Sequence, residues 1–217
     1  MKNCLAAVFS AVVMFAWAAS AAAVDGTIEI NLAKVLANGG FPYVITTSGS
    51  YRLTGNLTVS STSADAIDVN ANDVTIDLNG FSIVGPGGST SGNGISAASV
   101  VDVTVQNGTI TGFGGSAAIR AGKNSIVRNV HAGSNGNGIV AGSGSVISDN
   151  IAHDNSSTGI NCNGSGCAIS GNTALDNTQG ISANDATTGY EGNVLKNATN
   201  VSGGTSMKNN VCAGSAC

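Results

Sequence analysis

The sequence predicts an all-β solenoid, in which short parallel strands wind into about seven stacked coils behind a short N-terminal capping helix. Three observations support this fold class. A short phrase recurs about every 21 residues, apolar and polar residues alternate in short runs, and asparagines recur with the same period. Together these features favour one elongated domain over a set of independent hairpins.

The recurring phrase is a small residue followed by isoleucine or valine. Its apolar residues follow one another at steps of 28, 24, 20, 21, 21 and 20 residues. The longest step fits an insertion between Gly85 and Asn93. A repeat of this length indicates stacked structural units that bury a continuous core. The apolar residues of the phrase are Ile67, Ile95, Ile119, Ile139, Ile160, Ile181 and Val201.

Strands are predicted where apolar residues alternate with polar ones, as in 74–78 (VTIDL), 101–105 (VDVTV) and the pair Val146 and Ile147. Glycine and asparagine between these runs supply the positive φ angles that tight corners need. If each coil pairs with its neighbours in parallel, the rod is roughly 30–35 Å long.

Two columns of asparagine follow the repeat and predict ladders at the corners. An inward asparagine can bond the backbone of its own coil and the asparagine of the next coil, which satisfies polar groups that would otherwise be buried unpaired. We therefore interpret these residues as structural. The two predicted ladders are Asn150, Asn172 and Asn193, and Asn155, Asn177 and Asn197.

The N-terminus has the features of a secretory signal peptide over residues 1–23. Lys2 precedes an apolar stretch from Leu5 to Ala19, and three alanines form a small-residue cleavage site. We expect export to the periplasm, the cell surface or the medium, and no membrane span after cleavage. Residues 24–65 are predicted to form the cap and first coil, and residues 66–217 the repeats.

The cap itself is predicted as a helix over residues 31–38, ended by Gly39 and Gly40. Leu32, Val35 and Leu36 would share one face of this helix and cover the first coil. Such a cap would protect a sheet edge that could otherwise pair with another molecule. End-to-end self-association stays a possibility wherever a cap is weak.

The four cysteines after the signal peptide occur in two copies of one spacing, which is unusual enough to suggest pairing. The copies are Cys162 with Cys167, and Cys212 with Cys217. An even number in an exported chain favours disulfides, and pairing within each hexapeptide is the simplest scheme. A zinc site built from both pairs is the alternative, although the spacing is not CxxC.

Composition excludes several classes of partner. The net charge is −4, charged residues are 9 % of the chain, and lysine and arginine form no basic patch suited to nucleic acid. After the signal peptide no apolar run is long enough to cross a membrane. A polysaccharide or a cell-envelope glycan is the class of partner that composition does not exclude.

Two stretches resemble a known family: residues 49–61 (GSYRLTGNLTVSS) and 66–87 (AIDVNANDVTIDLNGFSIVGPG). They are similar to the opening of bacterial secreted right-handed parallel β-helix proteins of the pectate-lyase-like superfamily. The later units resemble NosD-like or carbohydrate-binding β-helix repeats. The resemblance implies a single-stranded right-handed parallel β-helix. Because enzymes, adhesins and other surface proteins share this scaffold, it does not settle activity.

The resemblance makes polysaccharide chemistry worth testing on the residues. Glycoside hydrolysis needs two carboxyl groups about 5 Å apart, or about 6.5–9.5 Å apart. Asp154 and Asp176 occupy the same repeat position in successive coils, with His153 beside the first. We expect Lys196 to continue the aspartate column and Leu175 and Leu195 to replace His153. These three residues, Asp154, Asp176 and His153, are the candidate catalytic group.

A lyase of this scaffold would use aspartate-bound calcium with an arginine or lysine base. The candidate ligand-binding residues are Lys196, Arg120, Lys123 and Arg128, and no acidic cluster beside them would hold calcium. We therefore predict no metal and no cofactor. The function we expect is that of a non-enzymatic structural, adhesive or glycan-binding module at the cell surface. The alternative is a polysaccharide-active lyase, glycoside hydrolase or epimerase.

Overall fold

The structure is a computed structural model that describes residues 26–89 and 92–213. The predicted signal peptide therefore lies outside the described residues. The described chain begins with a cap, made of strand β1 (Thr27–Ile30) and helix α1 (Leu32–Ala37). Eight coils follow; six of them contain three short parallel strands, and in coils 3 and 4 the second and third strands are merged into one long strand.

The strands of the eight coils are, in chain order, β2 (Tyr43–Ile45), β3 (Gly49–Leu53) and β4 (Leu57–Thr58) in coil 1; β5 (Ile67–Val69), β6 (Val74–Asp77) and β7 (Ser82–Val84) in coil 2; β8 (Ile95–Ala97) and β9 (Val103–Thr111) in coil 3; β10 (Ala117–Ala121) and β11 (Ile126–Gly133) in coil 4; β12 (Asn137–Ala141), β13 (Val146–Ser148) and β14 (Ile151–His153) in coil 5; β15 (Thr158–Cys162), β16 (Ala168–Ser170) and β17 (Thr173–Leu175) in coil 6; β18 (Gln179–Ala183), β19 (Gly189–Glu191) and β20 (Val194–Lys196) in coil 7; β21 (Thr199–Ser202), β22 (Thr205–Ser206) and β23 (Val211–Cys212) in coil 8.

Stacking of the coils produces three faces. Face 1 is an eight-stranded parallel sheet that begins with β2 and ends with β21. Face 2 begins with β3 and ends with β22, and face 3 begins with β4 and ends with β23. The long strands β9 and β11 run through both of these faces and join them into one sheet. The predicted parallel solenoid is confirmed.

The predicted register of the repeat is confirmed, but the structure has eight coils rather than about seven. The apolar residues of the phrase pair with one another directly on face 1, from Ile67 through Ile95 to Val201. Coil 1, which was predicted together with the cap in residues 24–65, lacks the phrase because Tyr43, rather than isoleucine or valine, pairs with Ile67. The isoleucine column is fully buried and forms the centre of the core from coil 2 to coil 7.

The corners depend on residues that tolerate a left-handed backbone. At the corner between faces 2 and 3 one position has positive φ in six coils, because aspartate, asparagine and glycine adopt this conformation at low cost. Its occupants are Asn107, Asn129, Asp149, Gly171, Gly192 and Asn209. The corner between faces 3 and 1 has a similar column, made of Gly112, Ser134, Asp154 and Asp176.

The predicted asparagine ladder at the corner between faces 2 and 3 is confirmed. The side-chain oxygen of Asn172 accepts from the backbone N–H and the side-chain amide of Asn150, both at 3.0 Å. Its own amide donates to the carbonyl of Ile147 at 2.9 Å and to Asn193 at 3.1 Å. Asn210 extends the ladder by one coil, since its oxygen accepts from Asn193.

The second ladder is also confirmed and is longer than predicted. Asn155, Asn177 and Asn197 bond one another at 2.9–3.0 Å at the corner between faces 3 and 1. Asn135 adds a coil at the start of this ladder, and Asn200 accepts from Asn197 at its end. Both ladders lie inside the coil, where most of their side chains are excluded from water.

The capping helix is confirmed, with Asn31 as its N-cap, but its predicted apolar face is wrong in part. Val35 is fully buried, whereas Leu32 and Leu36 are 42 % and 63 % exposed. A helix of six residues makes fewer than two turns, so only one of its side chains reaches the core. Strand β1 covers the rest of the edge by pairing with β3 and burying Ile30.

The predicted disulfide between Cys162 and Cys167 is confirmed and closes the corner between faces 1 and 2 in coil 6. Both cysteines are buried, and Cys162 stands in a column that Ala141 and Ala183 occupy in the neighbouring coils. The other predicted pair includes Cys217, which lies outside the described residues.

Removal of this disulfide is expected to lower the free energy of unfolding by about 2 kcal/mol, because the bond closes only a short loop of the unfolded chain. The suitable variant is Cys162→Ala/Cys167→Ser, since alanine fits the column at position 162. Urea unfolding of the oxidised protein, the variant and the reduced protein measures the effect. A loss above about 4 kcal/mol would show that the bond does more than restrict a loop.

Candidate functional site

The candidate catalytic residues lie together on one exposed edge, which we call the His153 ridge and define as His153, Asp154, Asp176 and Lys196. His153 Nδ1 lies 2.9 Å from Asp154 Oδ2, and their side chains are 43 % and 62 % exposed. Lys196 Nζ lies 3.8 Å from Asp176 Oδ1, with side chains 67 % and 61 % exposed. Each carboxylate therefore already has a cationic or histidine partner in open solvent.

The predicted column that runs from Asp176 to Lys196 is wrong. Lys196 pairs with Leu175, and Leu195 pairs with Ala174, so both residues are one position away from the register that the spacing suggested. The corner after β20 is one residue shorter than the two before it. Asp154 and Asp176 have positive φ, whereas Lys196 leads directly into the ladder residue Asn197. The aspartate column therefore ends at Asp176.

Conformation explains why aspartate stands at these two positions. Asp154 and Asp176 each have φ of 53°, and aspartate tolerates the left-handed region better than most residues do. Their backbone N–H groups bond Leu175 and Lys196 in the following coil. The two residues thus have a structural role at the corner, independent of any chemistry of their carboxylates.

The two roles can be separated by substitution at Asp176. Asp176→Asn is expected to leave stability within about 0.5 kcal/mol, because asparagine tolerates the same backbone. Asp176→Val is expected to cost about 1–2 kcal/mol, because a β-branched residue is strained there. Thermal and urea unfolding check both values. Equal stabilities for the two variants would contradict a structural role for this corner.

The three basic candidates do not form one cluster. Arg120 and Lys123 line the same depression of about 180 Å³ where face 1 meets face 2, together with small residues of coils 3 to 6. Arg128 lies on face 2 instead, and its guanidinium donates to Gln106 Oε1 at 2.7 and 2.9 Å. Among the described residues, neither Arg120 nor Lys123 forms an ion pair.

A larger concavity crosses face 2 in coils 6 and 7, and sequence reasoning missed it. It consists of two depressions that share Ser170 and Glu191, with volumes of about 310 and 410 Å³. We call this concavity the face-2 groove. It is lined on one side by Ala168, Ile169, Thr187, Gly189 and Met207, and on the other by Asp149, Gly171, Gly192, Lys208 and Asn209.

The groove exists because side chains become small in two successive coils. Outward positions on face 2 hold Ile126 and Val146 in coils 4 and 5, but Ala168 and Gly189 in coils 6 and 7. At the adjoining corner, two glycines replace the asparagine and aspartate of other coils. The only sequence signal was this pair of glycines within a column of side chains.

One wall of the groove is held by a short hydrogen-bonded turn. The hydroxyl of Thr187 donates to the carboxylate of Asp185, and its backbone N–H donates to the same oxygen at 2.7 Å. These donors lower the pKa of Asp185 below the usual value for an aspartate. Asp185 therefore stays ionised at neutral pH and keeps the Thr187 side of the groove in place.

Residues 26–89 and 92–213 contain no group of three or more histidine, cysteine, aspartate or glutamate side chains that could hold a metal ion. Within the same residues, no helix has the length and apolar character needed to cross a bilayer.

Comparison with known proteins assigns the chain to a class. A family model described as "Right handed beta helix region" matches residues 43–211, which is well over half of the chain. The protein therefore belongs to this family of right-handed β-helix proteins. Searches of curated proteins and of solved structures each gave no match.

Proposed function

We propose that the chain is an exported, non-enzymatic β-helix module that binds glycans at the cell surface. The observation that carries the proposal is the face-2 groove, an open concavity on a regular flank, lined by small and apolar residues in one half and by polar and charged side chains in the other. Sites for small ligands have volumes of about 300–1,000 Å³ and a few polar groups that fix orientation. A broad and shallow site of this kind suits a segment of a polysaccharide.

Export, and membership of a particular subfamily of β-helix proteins, are part of the same proposal. The N-terminal sequence has the pattern of a signal peptide. The resemblance to NosD-like and carbohydrate-binding repeats of the pectate-lyase-like superfamily agrees with a glycan partner. The exposed pairs of the His153 ridge favour binding over catalysis, because both carboxylates lie in open solvent and already contact His153 and Lys196.

A polysaccharide-active enzyme is the second candidate, and one observation favours it. His153 bonds Asp154, and Asp176 lies at the equivalent position of the next coil. A histidine held by a carboxylate beside a second carboxylate could transfer protons to a glycosidic bond. In this second proposal the reaction would take place at the His153 ridge.

A glycan array and a reducing-sugar assay on the purified mature protein separate the two candidates. We expect binding to one class of glycan and no release of reducing ends or unsaturated products. The control is Asp154→Asn/Asp176→Asn, which removes both charges and keeps residues that tolerate the corner conformation. Turnover by the wild type that this variant abolishes would replace the binding module with the enzyme.

A further inference from the structure

We propose that the face-2 groove binds an amino-sugar unit, a hexosamine with a free amine, within a glycan chain. The inference rests on the proposed glycan-binding function and names the site and the chemistry of the sugar. It is carried by the shape of the groove, by its division into an apolar and a polar half, and by its charge.

The apolar half of the groove suits the C–H face of a sugar ring. Its exposed lining includes Ala168 and Gly189, with the side chain of Met207 along the border, while the side chain of Ile169 beneath it is buried in the core. Met207 is 58 % exposed, and its Sδ would lie 3.5 Å from a methyl group placed on Gly189. The thioether is polarizable and adapts to irregular apolar surfaces. A pyranose ring can therefore rest here without the aromatic platform that the flank lacks.

The polar half supplies both acceptors and a donor for the edge of the ring. Asp149 and Glu191 bring carboxylates, and Lys208 brings an ammonium group. The carboxylate of Asp149 leans over the floor, since a methyl group placed on Gly171 would lie 2.7 Å from its Oδ1. All three residues are exposed, and the ion pairs among the described residues are those of the His153 ridge, so these charges are open to a ligand.

Charge selects the kind of sugar. Two carboxylates against one lysine leave the polar half with net negative charge, and the whole chain has a net charge of −4. A protonated amine forms charge-assisted hydrogen bonds with carboxylates, and those bonds are stronger than neutral ones. A uronate would be repelled both by the groove and by the long-range field of the protein. Hexosamine units therefore fit better than uronate units.

The groove is also preformed. Its floor consists of β16 and β19, which are paired with each other and with their neighbours. The corner glycines Gly171 and Gly192 hold φ of 66° and 63°; the carboxylate of Asp149 lies against Gly171, and the space above Gly192 is open. Binding to a rigid floor loses little conformational entropy, which favours affinity from few contacts.

The decisive variant is Gly192→Asn, which fills the groove without changing charge. The nearest atom to a methyl group at this position is 3.8 Å away, and asparagine already stands at the same corner in Asn129 and Asn209. The matched control is Gly80→Asn, because Gly80 has φ of 78°, open space around it and a position away from the groove. Thermal unfolding of both variants checks that the fold is kept.

Calorimetry with defined tetrasaccharides tests the proposal. The probes are a tetramer of glucosamine, cellotetraose as its neutral counterpart, and tetragalacturonate as an anionic one. We expect the glucosamine tetramer to bind at least about tenfold more tightly than either of the others. Gly192→Asn should weaken its binding by about tenfold or more, Glu191→Gln should weaken it by several-fold, and Gly80→Asn should leave it unchanged.

The outcomes separate this inference from the function on which it rests. Glycan binding on an array that Gly192→Asn does not alter would overturn the groove assignment and leave the glycan-binding module standing. Cellotetraose or the uronate binding as tightly as the glucosamine tetramer would overturn the amino-sugar assignment. Failure of every glycan to bind the wild type would overturn both.

Discussion

Replacement of Asn172 by alanine is expected to lower the free energy of unfolding by about 3–5 kcal/mol. The change leaves the backbone N–H and side-chain amide of Asn150 without their acceptor, and the carbonyl of Ile147 without its donor. These groups are buried, and each unpaired buried group costs about 1–3 kcal/mol. Urea unfolding followed by circular dichroism measures the loss.

The control for the ladder is Asn184→Ala. Asn184 is exposed, and its amide bonds Asn163 across one coil at 3.2 Å. Loss of an exposed bond of this kind is expected to change stability by less than about 0.5 kcal/mol. If the two alanine variants were equally stable, the ladder would not contribute to folding as its bonds indicate.

The second large effect is expected at Gly180, where alanine should cost about 3 kcal/mol, at the upper end for an overpacked core. A methyl group there would lie 2.4 Å from the side-chain nitrogen of Asn197 and 2.6 Å from the backbone oxygen of Asn200. The Asn197 amide cannot move away without breaking its bond to the carbonyl of Ala174. The position is thus restricted by its neighbours, and not by its own backbone angles.

Two further variants show whether the ladder causes this cost. Gly55→Ala adds a methyl group into open space and is expected to be neutral or slightly stabilising. Asn197→Ala combined with Gly180→Ala should cost less than the sum of the single changes, because the clash with the Asn197 amide disappears and only the contact with the Asn200 backbone remains. Strict additivity of the two free-energy changes in unfolding experiments would contradict the proposed contact between the added methyl group and the Asn197 amide.

Repetition explains why the fold could be read from the sequence in such detail. In a parallel solenoid, each residue of a column meets the same kind of residue one coil away, so stacking constraints appear as a fixed period along the chain. The isoleucine column and both asparagine columns were found in this way. The first coil was placed with the cap and outside the repeat, because Tyr43 replaces the repeated residue there. Strand β1 was not predicted, because it has no counterpart in the repeat.

The candidate site was less accessible for two physical reasons. The corner before Asn197 is one residue shorter than the equivalent corners. Lys196 therefore pairs with Leu175, whereas Asn197 still bonds the ladder residue Asn177. Sequence spacing alone cannot distinguish the strand register from the ladder register. The three basic residues close in sequence then fall on different faces, because a β-helix turns a corner every few residues.

The sequence by itself determined the all-β solenoid, its repeat, its buried columns and the disulfide between Cys162 and Cys167, because each depends on residue type at a regular spacing. Only the tertiary structure decided where the surface is concave. The face-2 groove arises from the sizes of side chains in different coils, with Gly189 and Gly192 beside Met207 and Asp149. Such a concavity depends on which residues become neighbours across coils, and that follows from the register of the stacked strands.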